Sequence, residues 1–186
     1  MPKKNFVPNT IKAFYKNDGT VTSNLDESDY VQIALKGDHA LELDSSILIS
    51  RESCKSVLRY NWYLGKSIYP ITYDRTPLGR HPTLHRFLVR DVPKGYVVDH
   101  INHDRLDNRL SNLRICTAKE NSYNTKKRDP NKFKGIRKTK NGYNVHITKD
   151  GVKYEFKDAG SDIEAAKLYD IIAEEFFGEY AGKNFQ

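Results

Sequence analysis

Tyr96-Val97-Val98-Asp99-His100-Ile101-Asn102, followed by Leu106-Asp107-Asn108-Arg109-Leu110-Ser111-Asn112-Leu113-Arg114-Ile115-Cys116-Thr117 and then Glu120-Asn121, is the stretch on which the fold turns. Tyr96-Val97-Val98 is β-prone and follows a Pro93-Lys94-Gly95 turn, so a short strand delivers Asp99 and His100 at its end. Residues 102–108 are polar and read as a loop. Leu113-Arg114-Ile115-Cys116 reads as a second short strand. Thr117-Ala118-Lys119-Glu120 has the form of a capping box, so a helix starts there. Just upstream, Leu84–Val89 is a compact apolar piece expected to form a short helix. The order strand, polar loop, strand, helix is complete between residues 96 and 125.

This order places particular chemistry together. Asp99 supplies a hard anionic oxygen at a strand end, and Asn121 a neutral amide oxygen from the first turn of the following helix. Two oxygen ligands with open positions suit Mg²⁺ or Mn²⁺, which then take substrate phosphate oxygens and water. His100, next to Asp99 on a strand, points to the opposite side of the backbone. As a neutral imidazole it can deprotonate a water for in-line attack on a phosphate. Asn112 can brace the loop and orient the imidazole, since an amide both donates and accepts. Each residue also has an ordinary reading. An Asp-His pair can be a plain strand end. Asn102, Asn108 and Asn112 can be turn formers, and Asn121 an exposed helix residue. His81 and His85 can contact phosphate or simply pack, and His103 reads as a surface residue. The joint pattern carries the argument.

Downstream, charge concentrates. From Lys126 to Lys140 stand eight basic residues (Lys126, Lys127, Arg128, Lys132, Lys134, Arg137, Lys138, Lys140) and one acid, Asp129, a balance that equals the +7 of the whole chain. A concentrated basic segment beside aromatic residues is the footprint of a polyanion partner, although a solvated linker has the same composition. Asp129-Pro130-Asn131 marks a boundary. Three strand candidates follow, Phe133–Lys138, Tyr143–Lys149 and Val152–Lys157, joined by turns at Lys140-Asn141-Gly142 and Lys149-Asp150-Gly151; Asn-Gly and Asp-Gly are strong hairpin signals. Ser161-Asp162-Ile163-Glu164 is a second capping box, opening a helix to Phe177, with Gly178 as its stop. Ile163, Ala166, Tyr169, Ala173 and Phe176 are expected to form its sheet-covering stripe. Val145, Ile147, Tyr154 and Phe156 should pack on that helix, and Arg137, Asn144, His146, Thr148, Lys153 and Glu155 should face outward.

Upstream, Val31–Leu35 reads as a strand, Ala40–Ile49 as one or two more, with a turn at Lys36-Gly37-Asp38. Ser50–Trp62 has helical spacing at Cys54, Leu58 and Trp62, and residues 65–73 read as extended. Trp62 reads as core. Hydrophobic residues make up 38% of the chain and aromatic residues 11%, which argues against disorder. Nothing approaches the roughly 18 apolar residues of a membrane-spanning helix. The amino terminus offers no signal-peptide core. Two cysteines, Cys54 and Cys116, exclude a Cys-rich zinc module and a disulfide scaffold.

The spaced elements "VDHIN", "LDNRLSNLR" and "EN", with Leu84-His85-Arg86-Phe87-Leu88-Val89 before them, resemble the HNH homing endonucleases of phages and mobile introns over residues 84–125. The resemblance implies a ββα-metal nuclease core. By motif position, Asp99 and Asn121 become metal ligands for Mg²⁺ or Mn²⁺, His100 the general base and Asn112 the central Asn of the motif. Asn108, Arg114 and His85 are supporting residues. His103 departs from the Gly usual in the turn after "HIN".

A second resemblance covers residues 132–185. Phe133-Lys134-Gly135-Ile136-Arg137, Gly142-Tyr143-Asn144-Val145-His146-Ile147, Glu164-Ala165-Ala166-Lys167-Leu168-Tyr169-Asp170 and Phe177-Gly178-Glu179-Tyr180-Ala181-Gly182-Lys183-Asn184-Phe185 are similar to the Apetala-two/ethylene-response-factor type of DNA-binding domain. That family lays its sheet in the DNA major groove. Arg137, Asn144, His146, Thr148 and Lys153 are then the base-facing candidates, with Lys138 and Lys140 among the phosphate contacts. Tyr143 stands where relatives often carry Trp. The stretch from Val31 to Tyr73 looks like the leader that precedes the nuclease motif in this group.

The expectation is therefore an α+β chain in three segments. Residues 1–80 form an accessory region, 81–128 the nuclease, and 129–186 a three-stranded antiparallel sheet packed on one helix. Its expected partner is double-stranded DNA, with no membrane and no small-molecule substrate, in the cytoplasm of a bacterial host and encoded by a phage. The competing reading is a DNA-binding regulator with an inert nuclease remnant, which the intact Asp99, His100 and Asn121 disfavour. A nuclease without site preference is a third reading, disfavoured by the added DNA-reading segment.

Overall fold

The computed structural model describes residues 9–37, 40, 43–125, 129 and 132–185. Lys126, Lys127, Arg128, Pro130 and Asn131, like Asp38 of the expected upstream turn, lie outside the described residues. The chain is α+β and divides into two compact units, Met1–Ile115 and Cys116–Gln186.

The first unit is built on a five-stranded sheet. Its strands are β1 (Ile11–Tyr15), β2 (Val21–Thr22), β3 (Tyr30–Ala34), β4 (Ser46–Ser50) and, far along the chain, β8 (Asp107–Asn108), in the order β2-β1-β3-β4-β8. Val31 opposes Ile49 and Ile33 opposes Ile47 in the β3–β4 register, and all four are fully buried. Alternation thus puts one apolar face inward. Cys54, Val57, Trp62, Leu84 and Phe87 close over it. The outer strand β8 joins β4 in parallel, Leu48 opposite Asp107 and Ile49 opposite Asn108. A segment of the polar loop is therefore bolted to the leader's sheet.

The expected helix over Ser50–Trp62 is shorter than its spacing suggests. A 3-10 turn at Arg51–Ser53 runs into α1 (Cys54–Val57) and stops. Trp62 folds back so that its indole N–H donates to the Val57 carbonyl at 2.9 Å, and its ring meets Phe87 at 5.4 Å. Burying that ring ends the helix, since tertiary packing overrides periodicity in so short a segment. The extended stretch that follows reduces to a small hairpin of β5 (Tyr63–Leu64) and β6 (Pro70–Ile71). The short helix α2 (Leu84–Leu88) forms as expected.

β7 (Tyr96–His100) pairs with β9 (Leu113–Thr117), and the boundary between the units falls inside β9. The helix α3 (Ala118–Tyr123) begins with a complete capping box. The Thr117 hydroxyl accepts from the Glu120 N–H at 3.1 Å, and the Glu120 carboxylate accepts from the Thr117 N–H at 2.7 Å.

In the second unit β10 (Ile136–Lys138), β11 (Tyr143–Lys149) and β12 (Val152–Ala159) form an antiparallel sheet packed on α4 (Asp162–Phe177). The β11–β12 loop is Asp150-Gly151, both at positive φ (52° and 81°), the geometry that matches strand twist in a two-residue hairpin. Val145 and Ile147 are buried against Ala165, Tyr169, Ile172 and Ala173. Two expectations need correction. Ile163 is 51% exposed, because six residues at about 100° each put it some 120° around the helix from Tyr169. Tyr154 and Phe156 are also partly exposed, at 38% and 36%, because β12 is the edge strand. Tyr154 reaches the helix only near its end, edge-on to Phe176 at 4.9 Å.

Candidate active site

His100 ends β7 and is 5% exposed. Its Nε2 lies 3.3 Å from the Asn108 Oδ1. The Asn108 amide is itself oriented, because its Nδ2 donates to the Arg105 carbonyl at 3.0 Å. The oxygen must then face the ring, so the His100 Nε2–H is the donor and the lone pair of the neutral ring sits on Nδ1. Asn108 is fully buried and held on β8 by the leader's sheet. Burial holds the His100 imidazole below its ordinary pKa. The Asn108 hydrogen bond and the Asp99, Asp104 and Asp107 carboxylates act against that shift.

Asn112 has a different task. Its Oδ1 accepts from the Asn102 N–H at 3.0 Å, and its Nδ2 donates to Asn102 Oδ1 at 2.9 Å and the Asp107 carbonyl at 2.8 Å. It therefore laces the loop, while the hydrogen bond seen at the His100 ring comes from Asn108. Asp107 is the other knot. It accepts from Asn102 Nδ2 at 2.9 Å and from the Arg109 guanidinium at 2.8 and 2.6 Å. Burial alone would raise its carboxyl, but the hydrogen bonds and charge of Arg109 outweigh burial and hold it below the usual range. In the turn, His103 adopts φ +64° and donates its N–H to the His100 carbonyl at 2.9 Å. This left-handed conformation is the one a glycine enters without steric cost, so the departure from the family's Gly keeps the turn and strains one residue.

Asp99 faces Arg114. Arg114 Nε and Nη2 donate to Asp99 Oδ2 at 3.1 and 2.9 Å, and both side chains are only 10% exposed. Asn121 stands on α3 in the second unit, half-buried. Among the described residues no group of three or more His, Cys, Asp or Glu side chains is placed to hold a metal. The Asp99 carboxylate and the Asn121 amide each offer a hard oxygen, the donor type that Mg²⁺ and Mn²⁺ take.

His85 on α2 is 8% exposed, with its ring edge-on to His100 at 5.2 Å between centroids and tilted on Tyr69 at 5.0 Å. Nε2 is 3.3 Å from the Thr83 hydroxyl, and Nδ1 is buried without a hydrogen-bond partner. Burial first, then the nearby His100 and Arg86, push its pKa down to about 4. Because the folded value lies below the ordinary 6.5, this neutral ring's contribution to stability is complete above pH 6.5. It is lost as pH falls toward 4. Wild type is expected to lose about 2–3 kcal/mol between pH 7 and 4.5 through this group. A His85→Phe variant should lack that part of the pH dependence. Urea unfolding at the two pH values checks it, and an equal loss in both proteins would refute it.

Tyr69 escaped the sequence reading. Its ring lies between His85 and the Arg105 guanidinium, the latter 4.5 Å from the ring centre. It comes from the leader's hairpin, and no spacing in the sequence links it to His100.

The sheet of the second unit presents a polar face. Arg137 is opposite Asn144, His146 opposite Glu155 and Thr148 opposite Lys153, so the expected outward residues do share one side. Asn144 Nδ2 donates to Glu155 Oε1 at 2.8 Å, and His146 Nε2 lies 3.7 Å from the same oxygen. Arg137, Lys138, Lys140, Thr148 and Lys153 are exposed.

Residues 90–123 match the HNH endonuclease family profile. An uncharacterized HNH endonuclease of Acanthamoeba polyphaga mimivirus is 39% identical over 138 residues, 73% of this chain and 73% of that protein. Protein 3.8 of Escherichia phage T7 is 36% identical over 70 residues, 36% of this chain and 58% of its own length. A protein named for HNH homing endonucleases, from the SPbeta prophage of Bacillus subtilis (strain 168), is 38% identical over 47 residues, 27% of its length. No solved structure gives a significant match.

Proposed function

The chain belongs to the HNH endonuclease family, and from that premise we propose that it is a homing-type enzyme that hydrolyses a phosphodiester of double-stranded DNA at a chosen site. The observation that carries the reading is the His100–Asn108 pair: a buried, neutral imidazole whose Nε2 is committed to an amide oxygen and whose Nδ1 is the basic nitrogen. His100 takes the proton of the attacking water at Nδ1. Asn108 holds the ring, and Asn112 with Asp107 and Asn102 keeps the loop that carries Asn108 in shape. Asp99 and Asn121 are the proposed ligands of Mg²⁺ or Mn²⁺. When bound, such a cation neutralises charge on the scissile phosphate and its leaving oxygen. Arg114 sets the Asp99 carboxylate, and His85 backs the His100 ring. The motif order assigns the ligands, and the geometry of β7, β8 and β9 supports the assignment of the base.

Residues 129–186, within the second unit, serve as the site reader, an Apetala-two/ethylene-response-factor type domain. Support comes from its three strands on one helix and from the register that gathers Arg137, Asn144, His146, Thr148 and Lys153 on one side. Together, residues 1–80, 81–128 and 129–186 then act as brace, cutter and reader. The similar proteins of phage, prophage and viral origin favour a virus-encoded enzyme working in a host cell. No helix among the described residues is long and apolar enough to cross a membrane.

Incubation with supercoiled DNA in Mg²⁺ or Mn²⁺, with and without chelator, tests the activity. Nicked or linear product that needs metal and His100 supports it. Binding without cleavage in either metal, across random and phage-derived sequences, would return the regulator reading. For the reader, a Lys138→Gln/Lys140→Gln double variant is expected to weaken binding evenly across sequences and reduce the salt slope by about 2. Arg137→Ala is expected to cost about 1–3 kcal/mol on the preferred site alone. Binding titrations over a range of salt separate the two, and an unchanged slope in the double variant removes those lysines from the interface.

A further inference from the structure

The helix that carries Asn121 belongs to the same compact unit as the DNA-reading sheet, not to the unit of Asp99 and His100. Four contacts weld it there. The Tyr123 ring stacks on Phe177, at the end of α4, with centroids 4.2 Å apart and planes 20° from parallel. The Tyr123 carbonyl accepts from Lys134 Nζ at 3.1 Å and from the Gly182 N–H at 3.2 Å. Lys134 also donates to the Gly182 carbonyl at 3.2 Å, which closes the clasp. On the other side Lys119 pairs with Asp150 at 2.7 Å, at the tip of the β11–β12 hairpin. That exposed pair adds direction more than energy. The stack and the clasp are half-buried and define where α3 sits. Gly182 is the tightest point: a Cβ there would stand 2.9 Å from the Tyr123 carbonyl oxygen and 3.0 Å from that of Thr125.

We infer that Tyr123, Phe177, Lys134 and Gly182 are positioning residues for Asn121, so that the sheet which reads DNA also sets the second metal ligand and couples site recognition to metal binding. This rests on the reading of Asn121 as a ligand and of the sheet as the DNA reader. The physical basis is that a helix of six residues cannot hold its own orientation in isolation and takes it from what it packs against. The side chains of Tyr123, Phe177 and Lys134 are directed into this clasp, and none of them is among the residues placed on the face assigned to DNA. Coupling of this kind is reciprocal: DNA raises the affinity for the cation by the factor by which the cation raises the affinity for DNA.

The test uses the full chain bound to its target duplex and titrates Mn²⁺, following free Mn²⁺ by electron paramagnetic resonance. Gly182→Ala, which wedges the clasp, is expected to weaken Mn²⁺ binding in the DNA complex by about tenfold or more, as loss of an orienting partner does at metal sites. DNA affinity without metal should stay as in wild type, and the Mg²⁺ concentration for half-maximal cleavage should rise by the same factor as the Mn²⁺ loss. Tyr123→Leu removes the ring stack but keeps an apolar side chain. It should move both readings in the same direction by less, and it keeps the experiment decisive if Gly182→Ala does not fold. Asn121→Ala serves as the reference. Loss of Mn²⁺ affinity in Asn121→Ala with none in either clasp variant overturns the coupling. Unchanged Mn²⁺ affinity in Asn121→Ala overturns the ligand assignment itself, and the coupling with it.

Discussion

His100→Ala is expected to slow single-turnover DNA cleavage by about 10²–10⁴-fold while leaving DNA affinity as it is. The ring lies at the end of β7, is almost completely buried and donates a hydrogen bond from Nε2–H to Asn108 Oδ1, so the basic nitrogen of the neutral ring is Nδ1. Removing the ring removes the base and nothing on the face assigned to DNA. Asn108→Leu tests the orientation separately, because it keeps the branched shape of a fully buried side chain but deletes the acceptor that fixes the tautomer. A misplaced reacting group can cost about 10²-fold, so the Leu variant should be slower than wild type and faster than His100→Ala. Cleavage of the Ala variant at the wild-type rate would mean that another group takes the proton.

Much of this site is legible in the sequence, and the legible part is local. Asp99 and His100 are placed by a β-prone run after a turn, and the Thr117–Glu120 capping box starts α3 where its residues say it should. The Asp150-Gly151 hairpin and the outward alternation of Asn144, His146 and Thr148 are equally local facts. What the sequence hides is long-range. Asn108 looks like a turn former until β8 is seen paired with β4, some sixty residues earlier in the chain, which buries it beside His100. Tyr69 enters the histidine cluster from a hairpin of the leader, and no periodicity records that. Trp62 ends a helix by folding back onto Val57. Ile163 fits an apolar stripe by residue type but not by angle. The assignment of Asn121 to the second unit is of the same kind, because its stack on Phe177 spans more than fifty residues.

Arg114→Met should destabilise the first unit by about 3–5 kcal/mol, since it leaves a carboxylate buried without the guanidinium that faces it. For a chain of this size that corresponds to roughly 6–20 °C in the melting temperature. The reasoning is an asymmetry. A buried ion pair adds little over an apolar pair of the same shape, but breaking it from one side strands the remaining charge. Asp99→Asn should therefore cost less than Arg114→Met. The double variant Asp99→Asn/Arg114→Met should be markedly more stable than Arg114→Met alone, with a coupling of about 0.5–3 kcal/mol in the double-mutant cycle. Cleavage separates this structural effect from the chemistry. At temperatures where all three variants are folded, Arg114→Met should keep some activity, because Asp99 still offers a carboxylate. Both variants lacking that carboxylate should cut poorly whatever their stability. If Arg114→Met is as stable as wild type, the Asp99–Arg114 contact is not a buried pair in solution. If Asp99→Asn cuts normally, the carboxylate at the end of β7 holds no cation and its role is confined to the fold.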